Sequence, residues 1–183
     1  MRLFTGLSIA PGVVERLSEL LRQLKPNARL QWSPPENFHI TTKFLGEWPE
    51  DKLRQVIDTL TAMPKPRPFA VEVERMGFFP NSYSPRVLWA GVRAPQALAQ
   101  LAHITDEALG AIGVARETRD YSPHLTLARI KPDSPLKAIR DALTLNGQAH
   151  FGVSEAQSFH LYLSRPQAGG SIYEKLSTFP LSS

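Results

Sequence analysis

Cysteine is absent from all 183 positions. That absence excludes structural disulfides, thiolate metal centres and a cysteine nucleophile. Long apolar runs are missing too, and none approaches the roughly 20 residues that a bilayer-spanning helix requires. The opening MRLFTGLSIAPG is too short and too soon interrupted by proline to act as a signal peptide. No carboxylates stand at metal-ligand spacing, and no segment is of low complexity. The expectation is a cytoplasmic monomer without membrane attachment, metal or cofactor. A chain of this length buries about 70% of its unfolded surface, so it can fold without a metal or disulfide staple. The excess of one charge sign is small: 21 Lys and Arg against 17 Asp and Glu leave a formal +4. It is dispersed along the chain and suits a polyanionic partner without identifying one.

What the sequence does contain is a repeat. LFTGL (Leu3 to Leu7) and LWAGV (Leu88 to Val92) share the order apolar, aromatic, small, glycine, apolar at an offset of 85. A proline and an apolar helical stripe follow each. Val13, Leu17, Leu20, Leu21 and Leu24 lie on one helical face. Leu98, Leu101, Ala102, Thr105, Ala108, Leu109 and Ile112 do the same in the second copy. FHITTKF and SPHLTLA then place His39 against His124 and Thr41 against Thr126, again 85 apart. Pro49 with Glu50 and Asp51 opens a helix carrying Leu53, Val56, Ile57 and Leu60. Ser134 and Pro135 open its counterpart, with Leu136, Ile139 and Leu143. The alternating stretches Phe69 to Met76 and Ser158 to Ser164 read as strands, and a final strand around Ile172 to Ser177 closes the second half. Each half reads strand, helix, strand, helix, strand. A unit this long is not a solenoid repeat. The expected fold is α+β in one domain, 1–183. Two pseudo-symmetric lobes, roughly 1–85 and 86–183, each a mainly antiparallel sheet with two helices, face a central cleft.

Strand side chains alternate between faces. In HITT, His39 and Thr41 therefore share one face; in HLTL, His124 and Thr126 do. Ile40, Leu125 and Leu127 turn to the core. Two such strands around one cleft offer two imidazoles and two hydroxyls, a set suited to in-line displacement at phosphorus. One imidazole can deprotonate the attacking water while the other protonates the leaving oxygen, since an ordinary histidine titrates near 6.5. Hydroxyls can donate to oxygens on which charge grows. As metal ligands, two histidines and two threonines are a poor set.

NFHITTKFLGE and YSPHLTLARI resemble the paired His-x-Thr-x motifs of the two-histidine phosphoesterase superfamily. Within it, the chain is similar to the RNA 2′,3′-cyclic phosphodiesterases, once called 2′-5′ RNA ligases. The likeness runs from RLFTGLSI to the final strands. It implies hydrolysis of RNA 2′,3′-cyclic ends to 2′-phosphates, with His39 as proton donor and His124 as proton acceptor. It also implies that Thr41, Thr126 and Arg129 hold the phosphate, and it makes RNA ending in a cyclic phosphate, or a related nucleotide, the partner. Thr42 departs from the usual aliphatic residue and should face the core.

Several residues stay open on the sequence alone. Arg129 stands at odd spacing from His124, so it reaches the cleft only if the strand ends or bulges; otherwise it is structural. Lys43 stands at even spacing from His39, which places it at the cleft rim as a substrate-binding cation or on a solvated surface. His103 falls off its helix's apolar face, His160 points away from the core, and His150 sits in a loop. Trp32, Phe78, Phe79, Tyr83 and Trp89 are either core or base-stacking residues. The motifs address only the phosphate. A small cyclic nucleotide, a 2′-5′-linked oligonucleotide, reversible 2′-5′ ligation and a non-catalytic RNA-binding module therefore remain alternatives.

Overall fold

The computed structural model describes residues 1–182. It is built on two antiparallel sheets. The first runs β3–β1–β8–β9, from β3 (His39–Glu47), β1 (Arg2–Ser8), β8 (Ser158–Gln167) and β9 (Gly170–Pro180). The second runs β2–β6–β5–β4–β7, from β2 (Gln31–Trp32), β6 (His124–Arg129), β5 (Val87–Arg93), β4 (Phe69–Phe79) and β7 (His150–Ala156). The helices are α1 (Pro11–Leu24), α2 (Leu53–Ala62), α3 (Gln96–Gly110) and α4 (Lys137–Asn146). The expected α+β class and four helices are therefore present. Among the described residues, no helix is long and apolar enough to cross a membrane.

Helix α1 follows from its sequence. Pro11 stands in the first turn, where its missing N–H costs nothing. Val13, Leu17, Leu20, Leu21 and Leu24 are its buried residues, the stripe read from the sequence. Burial of each such side chain contributes about 1.5–3 kcal/mol. In α3 the buried set is Leu98, Leu101, Ala102, Thr105, Asp106 and Leu109; Ile112 lies beyond the helix end.

The lobes are not the two halves of the sequence. Residues of α1 and α4 share a hydrophobic core with Val73, Leu88, Ala90, Leu125 and Leu127 of the second sheet. Residues of α2 and α3 share one with Leu3, Leu7, Ile40, Phe159 and Leu161 of the first. The first half thus gives α1, β2 and β4 to the second layer, and the second half gives α3, β8 and β9 to the first. β4 pairs with β5, and β8 with β1. The boundary expected at 85/86 falls inside the β4–β5 hairpin. A short connection makes consecutive antiparallel strands neighbours, and that rule outweighs the repeat boundary. The exchange runs in both directions.

The two repeat glycines each sit against a neighbouring strand, Gly6 against the motif strand β3 and Gly91 against β4. A Cβ at Gly6 would come within 2.7 Å of the Ile40 carbonyl oxygen and 3.4 Å of His39 Cδ2. A Cβ at Gly91 would come within 2.6 Å of the Glu74 carbonyl oxygen. Each glycine lets a neighbouring strand approach more closely than a side chain would allow.

Candidate active site

The motif strands β3 and β6 contact each other, although they belong to different sheets. On β3, His39 pairs with Ser8 and Thr41 with Gly6. On β6, His124 pairs with Gly91 and Thr126 with Trp89. Ile40, Leu125 and Leu127 are fully buried. The backs of both strands are therefore core, and the histidine–threonine faces are turned away from it, as strand alternation requires.

The repeat extends to an irregularity that alternation does not predict. The register on β1 passes from Thr41 to Lys43, leaving Thr42 as an extra residue. On β5 it passes from Thr126 to Ala128, leaving Leu127 extra. A β-bulge at the same repeat position reverses the faces of all residues beyond it. Lys43 and Ala128 consequently turn inward and are buried. Phe44 and Arg129 turn outward, into a cleft of about 270 Å³ that Phe4, Trp32 and Tyr173 also line. The bulge accounts for the outward turn of Arg129 into this smaller cleft, whose lining includes neither His39 nor His124.

It also corrects Lys43. This side chain is not at the cleft rim. Its Nζ is buried 2.6 Å from Asp106 Oδ1 and donates to the Ala115 carbonyl at 2.6 Å. Asp106 Oδ2 accepts from Arg116 Nε (2.6 Å) and Oδ1 from the Glu117 N–H (2.9 Å). These partners hold the Asp106 carboxyl at about 2, against the cost of its own desolvation. Thr42 is buried as expected, its Oγ1 2.7 Å from Thr5 Oγ1.

Both imidazoles are anchored in the same way. His39 Nδ1–H donates to the Asn37 carbonyl at 2.7 Å, and His124 Nδ1–H donates to the Ser122 carbonyl at 2.8 Å. A carbonyl only accepts, so Nδ1 carries hydrogen in each ring and Nε2 is the nitrogen free for proton transfer. His39 Nε2 lies 2.9 Å from Thr41 Oγ1. The Tyr121 hydroxyl, just ahead of the second motif, donates to the Thr41 carbonyl at 2.7 Å and ties the two motif segments together.

The surroundings differ. His39 is enclosed by Phe4 (ring centroids 4.7 Å apart), Tyr173 (5.1 Å) and Tyr162 (6.0 Å). Burial lowers its pKa to about 4, opposed by the Asn37 hydrogen bond and reinforced by the electrostatic influence of His124 and Arg129 nearby. His124 meets the edge of Phe79 at 4.9 Å and opens into a second cleft, of about 460 Å³.

The other histidines are accounted for. His103 is exposed, as expected, near Glu107. His150 opens β7 rather than sitting in a loop, and its Nε2 lies 3.2 Å from Glu72. Glu72, Glu74 and His150 converge closely enough to hold a cation, but the Arg93 guanidinium already bridges both carboxylates. His160 does turn away from the Phe159–Leu161 core, yet it is buried, 3.2 Å from Ser8 Oγ and 3.0 Å from Thr178 Oγ1. Burial and the Lys175 charge lower its pKa to about 4. The surprise arises because β9 and Ser8 cover that face of β8. Phe4, Tyr162 and Tyr173 went unread as site residues. Only Phe4, two residues before the repeat glycine, carries a sequence signal.

Comparison with known proteins fits this geometry. A family model described as LigT-like phosphoesterase matches residues 7–89. An RNA 2′,3′-cyclic phosphodiesterase of Archaeoglobus fulgidus is 34% identical, with 98% of this chain and 99% of the relative aligned. One from Methanocaldococcus jannaschii is 33% identical over 95% of this chain and 97% of the relative. A crystal structure from Thermus thermophilus superposes with a TM-score of 0.80 at 26% identity, covering 99% of this chain and 98% of that one. Matched end to end by such relatives, the chain belongs to the LigT-like phosphoesterase family.

Proposed function

We propose that this protein opens 2′,3′-cyclic phosphodiesters at RNA ends, leaving a 2′-phosphate, by metal-independent acid–base catalysis between two histidines. The observation that carries the reading is the matched pair of imidazoles, each anchored through Nδ1 to a carbonyl two residues upstream. The names of the aligned relatives supply the substrate class.

In this reading His124 Nε2 takes a proton from water as its oxygen bonds to phosphorus. The bond from phosphorus to the 3′ oxygen breaks, and His39 Nε2–H gives that oxygen its proton. Thr41, Thr126 and Arg129 hold the non-bridging oxygens. Burial keeps His39 neutral in the free protein. The anionic phosphate is the opposite charge that favours its imidazolium, so the acid is charged as substrate arrives. Two histidines and two threonines also make a poor metal set, which is why no metal enters the scheme. With a 5′-hydroxyl in place of water as the nucleophile, the same in-line displacement would join ends through a 2′-5′ bond, the 3′ oxygen leaving as before.

The test is to incubate an oligoribonucleotide ending in a 2′,3′-cyclic phosphate with the protein in excess EDTA. Full turnover to a 2′-phosphate is expected. Loss of turnover in EDTA, restored by a divalent metal, would overturn the acid–base scheme. A 3′-phosphate product would reverse the substrate's orientation.

A further inference from the structure

The cleft on the His124 side contains a cation that the reaction above does not use. Val71 and Val73 of β4 are buried in core, so strict alternation would send residue 75 inward with them. It does not go there. The β4–β5 register passes from Glu74 to Met76, leaving Arg75 as an extra residue with φ 64°. Met76 takes the buried place, and Arg75 lines the 460 Å³ cleft with His124, Phe79, Trp89 and Glu74. A left-handed backbone at a residue other than glycine costs roughly 1–3 kcal/mol and persists only where its surroundings impose it. Here the Arg75 N–H donates to the Ala149 carbonyl at 2.7 Å. Bulges of this kind re-aim a side chain.

The charge in this cleft is uneven. Glu74 is paired with Arg93 at 3.3 Å, and Glu72 with Arg93 and His150. Among the described residues, no carboxylate lies within ion-pair distance of Arg75. The same wall holds Trp89, whose buried indole N–H has no partner, and Phe79, packed between Trp89 (5.3 Å) and His124 (4.9 Å). A free guanidinium and an aromatic wall are the groups that bind a single-stranded nucleotide.

Resting on the phosphodiesterase reading, we infer that this cleft is a subsite for the nucleotide preceding the cyclic end, and that Arg75 binds its internucleotide phosphate. The subsite distinguishes an RNA end from a free cyclic mononucleotide, which has no internucleotide phosphate to offer. Arg75 is thus a specificity-determining residue outside the catalytic set.

Two arms test it. In the turnover arm, wild type and Arg75→Ala are compared on a 2′,3′-cyclic mononucleotide and on a dinucleotide with the same cyclic end. Wild type should prefer the dinucleotide by tenfold or more in kcat/KM. Arg75→Ala should lose that preference while keeping its mononucleotide rate. A dinucleotide whose internal linkage is an uncharged methylphosphonate should behave in wild type as it does in the variant. Equal wild-type rates on both substrates, or equal losses on both in the variant, would overturn the subsite. The binding arm titrates the 2′-phosphorylated dinucleotide product against salt. Losing one phosphate contact should flatten the log–log salt slope by about 0.7 for a single strand; an unchanged slope would overturn Arg75 as the contact. Because the binding arm needs no catalysis, a protein that turns over neither substrate but shows this slope change would refute the proposed reaction and keep the subsite. Arg75→Lys should restore part of the binding, which a purely structural role would not predict.

Discussion

Strands β3 and β6 start from the same pattern and end in different environments. Both present histidine and threonine on one face, both anchor Nδ1 on the carbonyl two residues upstream, and both bulge immediately after the threonine. Beyond the bulge they diverge. β3 buries Lys43 in an ion pair and exposes Phe44; β6 buries Ala128 and turns Arg129 into the cleft. His39 lies inside a box of Phe4, Tyr162 and Tyr173, while His124 touches the edge of one ring and opens to solvent. A duplicated backbone can therefore carry two unequal imidazoles. The proton chemistry of each is set by what packs around it, not by the motif.

The sharpest way to break that comparison is to remove each imidazole. His39→Ala and His124→Ala should each lower turnover by about 10²–10⁴-fold, the usual contribution of a positioned acid or base. A substrate with sulfur in place of the 3′ bridging oxygen should rescue His39→Ala and not His124→Ala, because a thiolate leaves without a proton. Rescue of the other variant would exchange the two roles.

Next in size is the buried position at which the two strands differ most in chemistry, Lys43 against Ala128. Lys43→Met should destabilise the fold by about 2–3 kcal/mol in denaturant unfolding. That is less than the 3–5 kcal/mol typical of an orphaned buried charge, since Asp106 keeps Arg116 and the Glu117 N–H. KM should not change. A raised KM with unchanged stability would restore Lys43 to the cleft.

Thr41→Val and Thr126→Val should each reduce kcat/KM by about 10–100-fold, corresponding to a lost hydrogen bond of about 1.5–3 kcal/mol to a charged group. Thr41 also contacts His39 Nε2, so only Thr41→Val should move the pH dependence of kcat. Identical profiles for the two variants would mean that this contact is without consequence.

The smallest effect reads the buried histidines through stability. Unfolded histidines titrate near 6.5, whereas His39 and His160 stay neutral to about 4. Between those values the unfolded chain binds more protons, so stability falls as pH falls, by about 1.4 kcal/mol per pH unit for each histidine. Urea unfolding at pH 7 and pH 5 measures this slope, and His160→Gln should about halve it. A slope that the variant leaves unchanged would mean that His160 titrates normally.

Much of this molecule is legible in its residues, because local backbone geometry is a local property. The helical stripe of α1, the shared faces of His39 with Thr41 and of His124 with Thr126, and the repeat offset of 85 all follow from periodicity. The same alternation misplaced Lys43, since one extra residue at Thr42 inverts the faces beyond it. A bulge is created by pairing with a neighbouring strand, which a single segment does not reveal. The cover on His160 is not legible for a related reason: it comes from Ser8 and Thr178, distant in sequence.

The sequence by itself determined the duplication, the α+β class and the two His-x-Thr faces, since each depends on spacing of a few residues or on direct comparison of the halves. Only the tertiary structure decided the exchange of helices and strands between layers, the burial of Lys43, the arrival of Arg129 in the cleft and the aromatic box around His39. Those outcomes depend on segments far apart in the chain. Tyr162 and Tyr173 reach His39 from the C-terminal strands, and it is packing between such segments that sets exclusion of water, and with it the proton affinity of an imidazole.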